Sequence, residues 1–353
     1  NLLFGKAIGI TAGVMVRKLG ADTWISMTIG FAVGILIILL MVYLCSKFPD
    51  KTIIEFSEQL LGKWVGRRGI GILLALLFIM AYGASANTMT LHLSEYFLPE
   101  TPFYLICILY TLLCMYGVFK GIEVVVRFSF VGFIMSVLIS VTMFTGTTED
   151  IKLINILPLM DNGFLKDLTG SFYIFGDIAM AILAVGFLYP MLNKKKKVFG
   201  ITFWAMVTGA VLVIIWPLFE TMVLGPDLMK QYVVVCMQQI RCAQLTKYLP
   251  RYELIMVSFF IFEIFVQSVA MFYCAKHCIK QVTGIKKDWI MILPLTVVLI
   301  TVTYFMARDD NNYIDFLSFP YSQICVALGI GLPVFLFFIA MFRGKLKKQK
   351  KAS

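Results

Sequence analysis

Long apolar blocks, separated by short polar stretches, run the whole length of this chain. They fall near 1–18, 24–46, 69–91, 102–119, 124–146, 170–191, 198–222, 252–276, 288–306 and 320–342. Each is close to the roughly 20 residues that a helix needs to cross about 30 Å of hydrocarbon. Backbone amides in lipid find no water, so a crossing segment must pair its own polar groups, as a helix does. The pattern predicts an all-α integral membrane protein with about ten transmembrane helices. The stretch 51–63 is amphipathic and is expected to lie at the membrane surface. Asn1 leads straight into an apolar block without a cleavable signal pattern, and the first helix is expected to be a trimmed one.

Five blocks precede the polar stretch 147–169 and five follow it. The expected organisation is a first five-helix repeat at 1–146, an outer loop at 147–169, a second five-helix repeat at 170–342 and a basic tail at 343–353. With an odd number of spans per half, the second half enters the membrane from the opposite side. That is the arithmetic of a five-plus-five inverted repeat, inferred from topology because the halves share no clear sequence identity. In such folds the first helix of each half is often interrupted near the midplane, where freed amides and carbonyls hold a solute. Broken first and sixth helices are therefore expected.

Composition agrees with the membrane reading. Of 353 residues, 60% are hydrophobic and 14% charged, too few charges to cover a soluble domain. The net charge of +11 is largely an asymmetry between loops. One set carries Lys47, Lys51, Lys63, Arg67 and Arg68, then Lys120 and Arg127, then the run from Lys194 to Lys197, then Lys276, Lys280, Lys286 and Lys287. The tail adds Arg343, Lys345, Lys347, Lys348, Lys350 and Lys351. The opposite set is poorer in cations and holds Glu95, Glu100, Glu149, Asp150, Asp309 and Asp310. The richer set is expected to be cytoplasmic, which puts both termini inside. Cations spread over short inter-helix loops are no sign of nucleic-acid binding; the tail suits contact with anionic membrane lipid.

Candidate chemistry sits where polar or small residues interrupt the apolar blocks. In the first block Gly9, Thr11, Ala12 and Gly13 put two flexible residues and a hydroxyl within about one turn. They suit either a solute site or close helix packing, since Gly9 and Gly13 form a GxxxG pair. The sixth block carries Gly176 and Asp177, then Gly186 and Pro190. In the third, Tyr82 is followed by a face of Gly83, Asn87 and Thr90 at helical spacing, which either packs on a neighbour or lines a cavity. Asn87 both donates and accepts, as a zwitterionic solute requires. Ionisable residues inside spans are costly and point to function. Glu263, with Gln267 one turn on, is expected to face a cavity or a buried partner, where its carboxyl could carry a proton or bind an ammonium group. Glu220 and Glu253 are expected to reach the outer interface.

No enzyme constellation is present: the chain has no G-x-S-x-G, H-E-x-x-H or phosphate-loop motif. Eight cysteines lie mostly in apolar blocks and read as packing residues, although Cys236 and Cys242 are close enough in sequence to pair. The two histidines, His92 and His277, are far apart and read as interfacial. No cofactor or metal is implied.

Several short stretches together carry a resemblance. After the glycine-rich first helix comes Ala21-Asp22-x-Trp24-Ile25; the amphipathic segment ends Leu61-Gly62-Lys63-Trp64-Val65-Gly66; Tyr189-Pro190-Met191-Leu192-Asn193 leads into the lysine run; and Pro250-Arg251-Tyr252-Glu253 opens the eighth block. In this order the chain resembles the B subunits of spore germinant receptors, the GerAB-like spore permease family of the amino acid–polyamine–organocation permease superfamily. The resemblance implies a ten-helix inverted-repeat fold in the inner membrane of a bacterial spore. It also implies a small-molecule germinant, often an amino acid, and two partners, a membrane A subunit and a lipoprotein C subunit. The solute site it implies maps onto Gly9 to Gly13, with contributions from the third, sixth and eighth helices. The chain departs from the family pattern at Val14-Met15-Val16-Arg17, where a proline is usual, and in the distance of Gly176-Asp177 from Pro190. A germinant receptor subunit is the first functional expectation; an active secondary amino-acid transporter and a scaffold without ligand are the others. The run of small residues in the first helix argues against the scaffold.

Overall fold

The computed structural model describes residues 1–161, 163–193, 195–242 and 253–346. A π-helical turn, Ala7–Thr11, leads into α1 (Ala12–Leu19), and α2 (Thr23–Lys47) follows after a short 3-10 turn at Gly20–Asp22. Gly20 makes that turn at φ +59, a backbone region a side chain disfavours. α3 (Ile53–Gly62) and a second π-helical stretch, Lys63–Gly69, precede α4 (Ile70–Tyr96). α5 (Phe103–Lys120) and α6 (Ile122–Gly146) complete the first part.

α7 (Phe164–Gly170) and α8 (Phe175–Leu188) meet at a 48° bend. The remaining helices are α9 (Val198–Leu224), α10 (Pro226–Met229), α11 (Val235–Cys242), α12 (Glu253–Thr283), α13 (Asp288–Ala307), α14 (Asp310–Phe316), α15 (Ser322–Val326) and α16 (Leu332–Phe342). The Cys242 side chain, the 250–252 motif with the Glu253 side chain, Lys194 and the tail beyond 346 lie outside the described residues.

Among the described residues, eight helical runs are long and apolar enough to cross a membrane, or nine if the bent α7/α8 pair counts as one span. The first two sequence blocks lie in one run, Ala7–Lys47. Lipid-facing surfaces explain the composition. α5 and α13 expose Leu105, Leu109, Leu113, Val297 and Phe305, a belt that would be insoluble in water but matches hydrocarbon. The chain is an integral membrane protein. Its centre is the first helix, α4, α8 and α12, with α12 packed along α4 and α6, and α2 along α8 and α9.

The 51–63 segment is helical and amphipathic, as its pattern predicts. Its start is set by a capping box: Thr52 accepts from the Glu55 amide, and the Glu55 carboxylate accepts from the Thr52 amide at 2.8 Å. Its apolar residues Ile53, Ile54, Phe56 and Leu60 are buried against the protein, with contacts to α4, α8 and α16. The apolar face that would otherwise dip into lipid is covered by the bundle.

Candidate functional site

A turn at Leu2–Phe4 leads into the first helix, and at that junction the Lys6 amide and the Leu2 carbonyl are met by a side chain. Gln267 of α12 fills that role: its Oε1 accepts from the Lys6 amide at 3.0 Å, and its Nε2 donates to the Leu2 carbonyl at 3.1 Å. Orphan backbone groups at a helix start need such partners, above all in a dry interior. The Ala7–Thr11 turn that follows is wound as a π-helix, a form that recurs at functional sites because it re-aims side chains. The interruption expected in the first helix thus takes the form of widened winding, and the chain stays helical through Gly9–Gly13.

Across from that turn lies the start of α8, just past the bend. Asp177 stands in its first turn, where the positive end of the helix favours a carboxylate. Lys6 Nζ lies 3.0 Å from Asp177 Oδ1 and donates to Thr11 Oγ1 at 3.0 Å. Thr11 in turn donates to Asp177 Oδ2 at 2.8 Å. The ammonium also sits 5.3 Å from the centre of the Tyr321 ring, and the Tyr321 hydroxyl donates to the Gly176 carbonyl at 3.1 Å. Lys6, Thr11, Asp177, Tyr321 and Gln267 are all buried. The result is a closed, charge-neutral cluster that ties the first helix to the bent helix and to the π-helical Leu317–Tyr321 stretch. An ion pair this deep is held by mutual attraction in a low dielectric, and neither member is stable there alone.

The cluster unites four of the sequence candidates, Thr11, Asp177 and Gln267 through their side chains and Gly176 through its carbonyl. Lys6 and Tyr321 were not among them. Lys6 had a visible signal, a lone lysine inside an apolar block, which in a membrane helix marks function or a buried partner.

The other candidates do different things. Gly9 is pressed against Phe260, Thr88 and His92, where a Cβ would come within 2.7 Å of the Phe260 ring. Gly13 abuts the backbone carbonyl of Val233. Both glycines, and the buried Ala12, let the first helix approach its neighbours closely, the packing alternative of the GxxxG reading. Gly83 fits against Val302 and Met306 of α13, and Asn87 donates to the Met306 carbonyl at 3.4 Å. Asn87 and Thr90 also line a groove of about 380 Å³ with Ser94 and Glu95. Tyr82 packs edge-on against Phe272, ring centres 5.8 Å apart.

Glu263 is buried between α12 and α6, facing Gly132 and the side chain of Asn1, and its carboxylate has no hydrogen-bond partner among the described residues. Glu220 corrects an expectation. It does not reach the interface: it is fully buried, because α9 continues to Leu224 and α11 packs over its end. Its carboxylate, too, lacks a hydrogen-bond partner among the described residues. His92 is a second correction, buried against Phe260 (ring centres 4.5 Å apart) with Nδ1 2.7 Å from the Thr88 carbonyl.

Comparison with known proteins places this architecture. Residues 1–311 match the Spore_permease family, described as spore germination protein. The chain is 24% identical to spore germination protein GerQB of Bacillus cereus, over 95% of this chain and 91% of that protein. It is 23% identical to spore germination protein YndE of Bacillus subtilis, over 93% of this chain and 89% of that protein. Among solved structures, a mutant manganese transporter of Eremococcus coleocola superposes with a TM-score of 0.49 at 13% identity, covering 98% of this chain and 78% of the transporter, a likeness too loose to bear on function. A non-enzymatic, permease-like role in spore germination follows from the family match. The chain belongs to the GerAB-like Spore_permease family of spore germination proteins.

Proposed function

We propose that the chain is the permease-like subunit of a nutrient germinant receptor, and that a small zwitterionic solute such as an amino acid acts at the Lys6–Asp177 pair. The observation that carries this reading is the pair itself, a buried cation and anion joining two irregular helices. An amino acid offers the same two charges. Its carboxylate takes the place of Asp177 at Lys6, and its ammonium takes the place of Lys6 at Asp177. Each buried charge keeps a partner, while the direct tie between the first helix and α8 is released. A ligand biases a conformational equilibrium only by binding one state better than the other, and opening this tie supplies such a difference. Thr11 and Gln267 orient the first helix through the change. Glu263, Asn87, Tyr82 and Gly83 belong to the helices around it, and Gly9 and Gly13 set how closely that helix is held.

The same reading supports the ten-span fold. Gly20 divides the run Ala7–Lys47 into two spans, and the bent pair α7/α8 makes one. The π-helical turn and the bend then occupy equivalent places in two halves, 1–146 and a second that runs to 342 and opens with α7 at Phe164 rather than at 170, which shortens the 147–169 loop, with the basic 343–353 tail and both termini cytoplasmic. We place the protein in the spore inner membrane, with an A subunit and a lipoprotein C subunit reading the change in packing.

Germination of spores lacking this chain, against a panel of amino acids, sugars and salts, tests the role. Loss of the response to one nutrient class is the expected result. A normal response to every nutrient, in spores also lacking related receptors, overturns it. Uptake of the labelled nutrient by liposomes bearing the purified chain would instead mark an active secondary transporter.

A further inference from the structure

A groove of about 460 Å³ opens at the end of the bundle where α1 terminates. One wall is the last turn of α1, with Arg17 and Lys18; the opposite wall is α7, with Lys166 and Thr169; the third side comes from Ser322 and its neighbours at the start of α15. Three cations and no carboxylate line it, while the same Arg17, Lys18 and Lys166 also border an adjoining pocket that holds Asp22, Asp161 and Asp227. By the loop-charge count this is the outer end, the one poorer in lysine and arginine, so cations gathered around one groove are not explained by topology. Arg17 is the sharpest of them. It is half-buried, its Nε is enclosed without a hydrogen-bond partner among the described residues, and it forms no ion pair there. A planar guanidinium held unpaired in a groove matches the fork of a carboxylate. The rest of the lining, Phe172 and Tyr173 with the hydroxyls of Thr169 and Ser322, suits an uncharged organic remainder.

We propose that this groove is a second binding site, for small carboxylate-bearing solutes, with Arg17 as the carboxylate anchor. It is separate from the ion pair. Thr11 and Arg17 are six residues apart, about 9 Å along a helix. Its position makes it an outer station through which such a solute passes before reaching the buried cluster. Because its walls are α1 and the arm α7, which bends away from α8 by 48°, a solute seated there also braces that arm.

The test uses the full chain in nanodiscs of zwitterionic phosphatidylcholine and measures binding of N-acetylglycine, glycine, glycinamide and inorganic phosphate. N-acetylglycine has a carboxylate and no ammonium, so it probes the groove whether or not the ion pair accepts a zwitterion. Binding of N-acetylglycine and glycine but not glycinamide is expected. Arg17→Gln is expected to weaken N-acetylglycine by about tenfold or more, the loss of a charge-assisted bond. Arg17→Lys, which keeps the charge and loses the fork, should fall between and serves if the glutamine variant fails to fold. Three results overturn the proposal: no binding of N-acetylglycine, equal binding to wild type and Arg17→Gln, or binding of phosphate alone.

Discussion

Replacing Lys6 by methionine is the most informative single change, because it keeps an unbranched side chain of nearly the same length while removing the charge and the hydrogen bond to Thr11. Asp177 is then left with no cation, fully buried, and with the Thr11 hydroxyl at 2.8 Å as its remaining side-chain donor. Breaking a buried pair from one side costs about 3–5 kcal/mol, a large share of the roughly 5–15 kcal/mol that holds a typical protein together. Asp177→Asn alone strands the ammonium and should cost a similar amount. The double substitution leaves no charge to strand, so most of the loss should be recovered, since uncharged replacements for a buried pair are often neutral. Unfolding midpoints of the four purified proteins in one detergent read the stabilities, and germination of spores carrying each variant reads the function. The double variant is expected to be stable yet unresponsive, because a zwitterion finds neither of its partners. Single variants within about 0.5 kcal/mol of wild type, or a double variant as weak as the two losses summed, would refute an enclosed ion pair. A stable double variant that still responds would move the solute elsewhere.

Two further changes probe the packing around the cluster. Gly13→Ala should lower stability by about 1–3 kcal/mol, the range for overpacking, because the new Cβ meets the Val233 carbonyl, a backbone atom that cannot swing aside; an unchanged unfolding midpoint would show that the helix has room. Glu220→Met should raise stability by about 1–3 kcal/mol, the cost of a buried polar group left without a partner, and a fall in the midpoint would mean that the carboxylate has a partner it depends on.

Much of the architecture is legible in the order of residues. Hydrocarbon imposes a length and an internal hydrogen-bond rule on whatever crosses it, so apolar blocks of the right size read directly as helices. A capping box such as Thr52 and Glu55 is equally local, and the helix starts where the pair says. The family is legible too, because its short motifs keep their order along the chain. Asp177 and Gln267 drew attention as polar residues in apolar surroundings, and that signal also singles out Lys6.

Other features depend on which helix faces which, and period alone does not encode this. Gly9 and Gly13 have the same local sequence whether they line a cavity or admit a neighbour; the positions of Phe260 and of the Val233 carbonyl make them packing residues. Glu220 looks interfacial by its place near the end of a block, and α11 buries it. Lys6 and Asp177 are 171 positions apart in sequence, and nothing local to either names the other. The sequence by itself determined the membrane class, the helices and the family, because those follow from local composition and periodicity. Only the tertiary structure decided that a lysine of the first helix neutralises an aspartate beyond the bend, because that pairing is set by how distant helices pack and by the cost of leaving either charge alone in a dry interior.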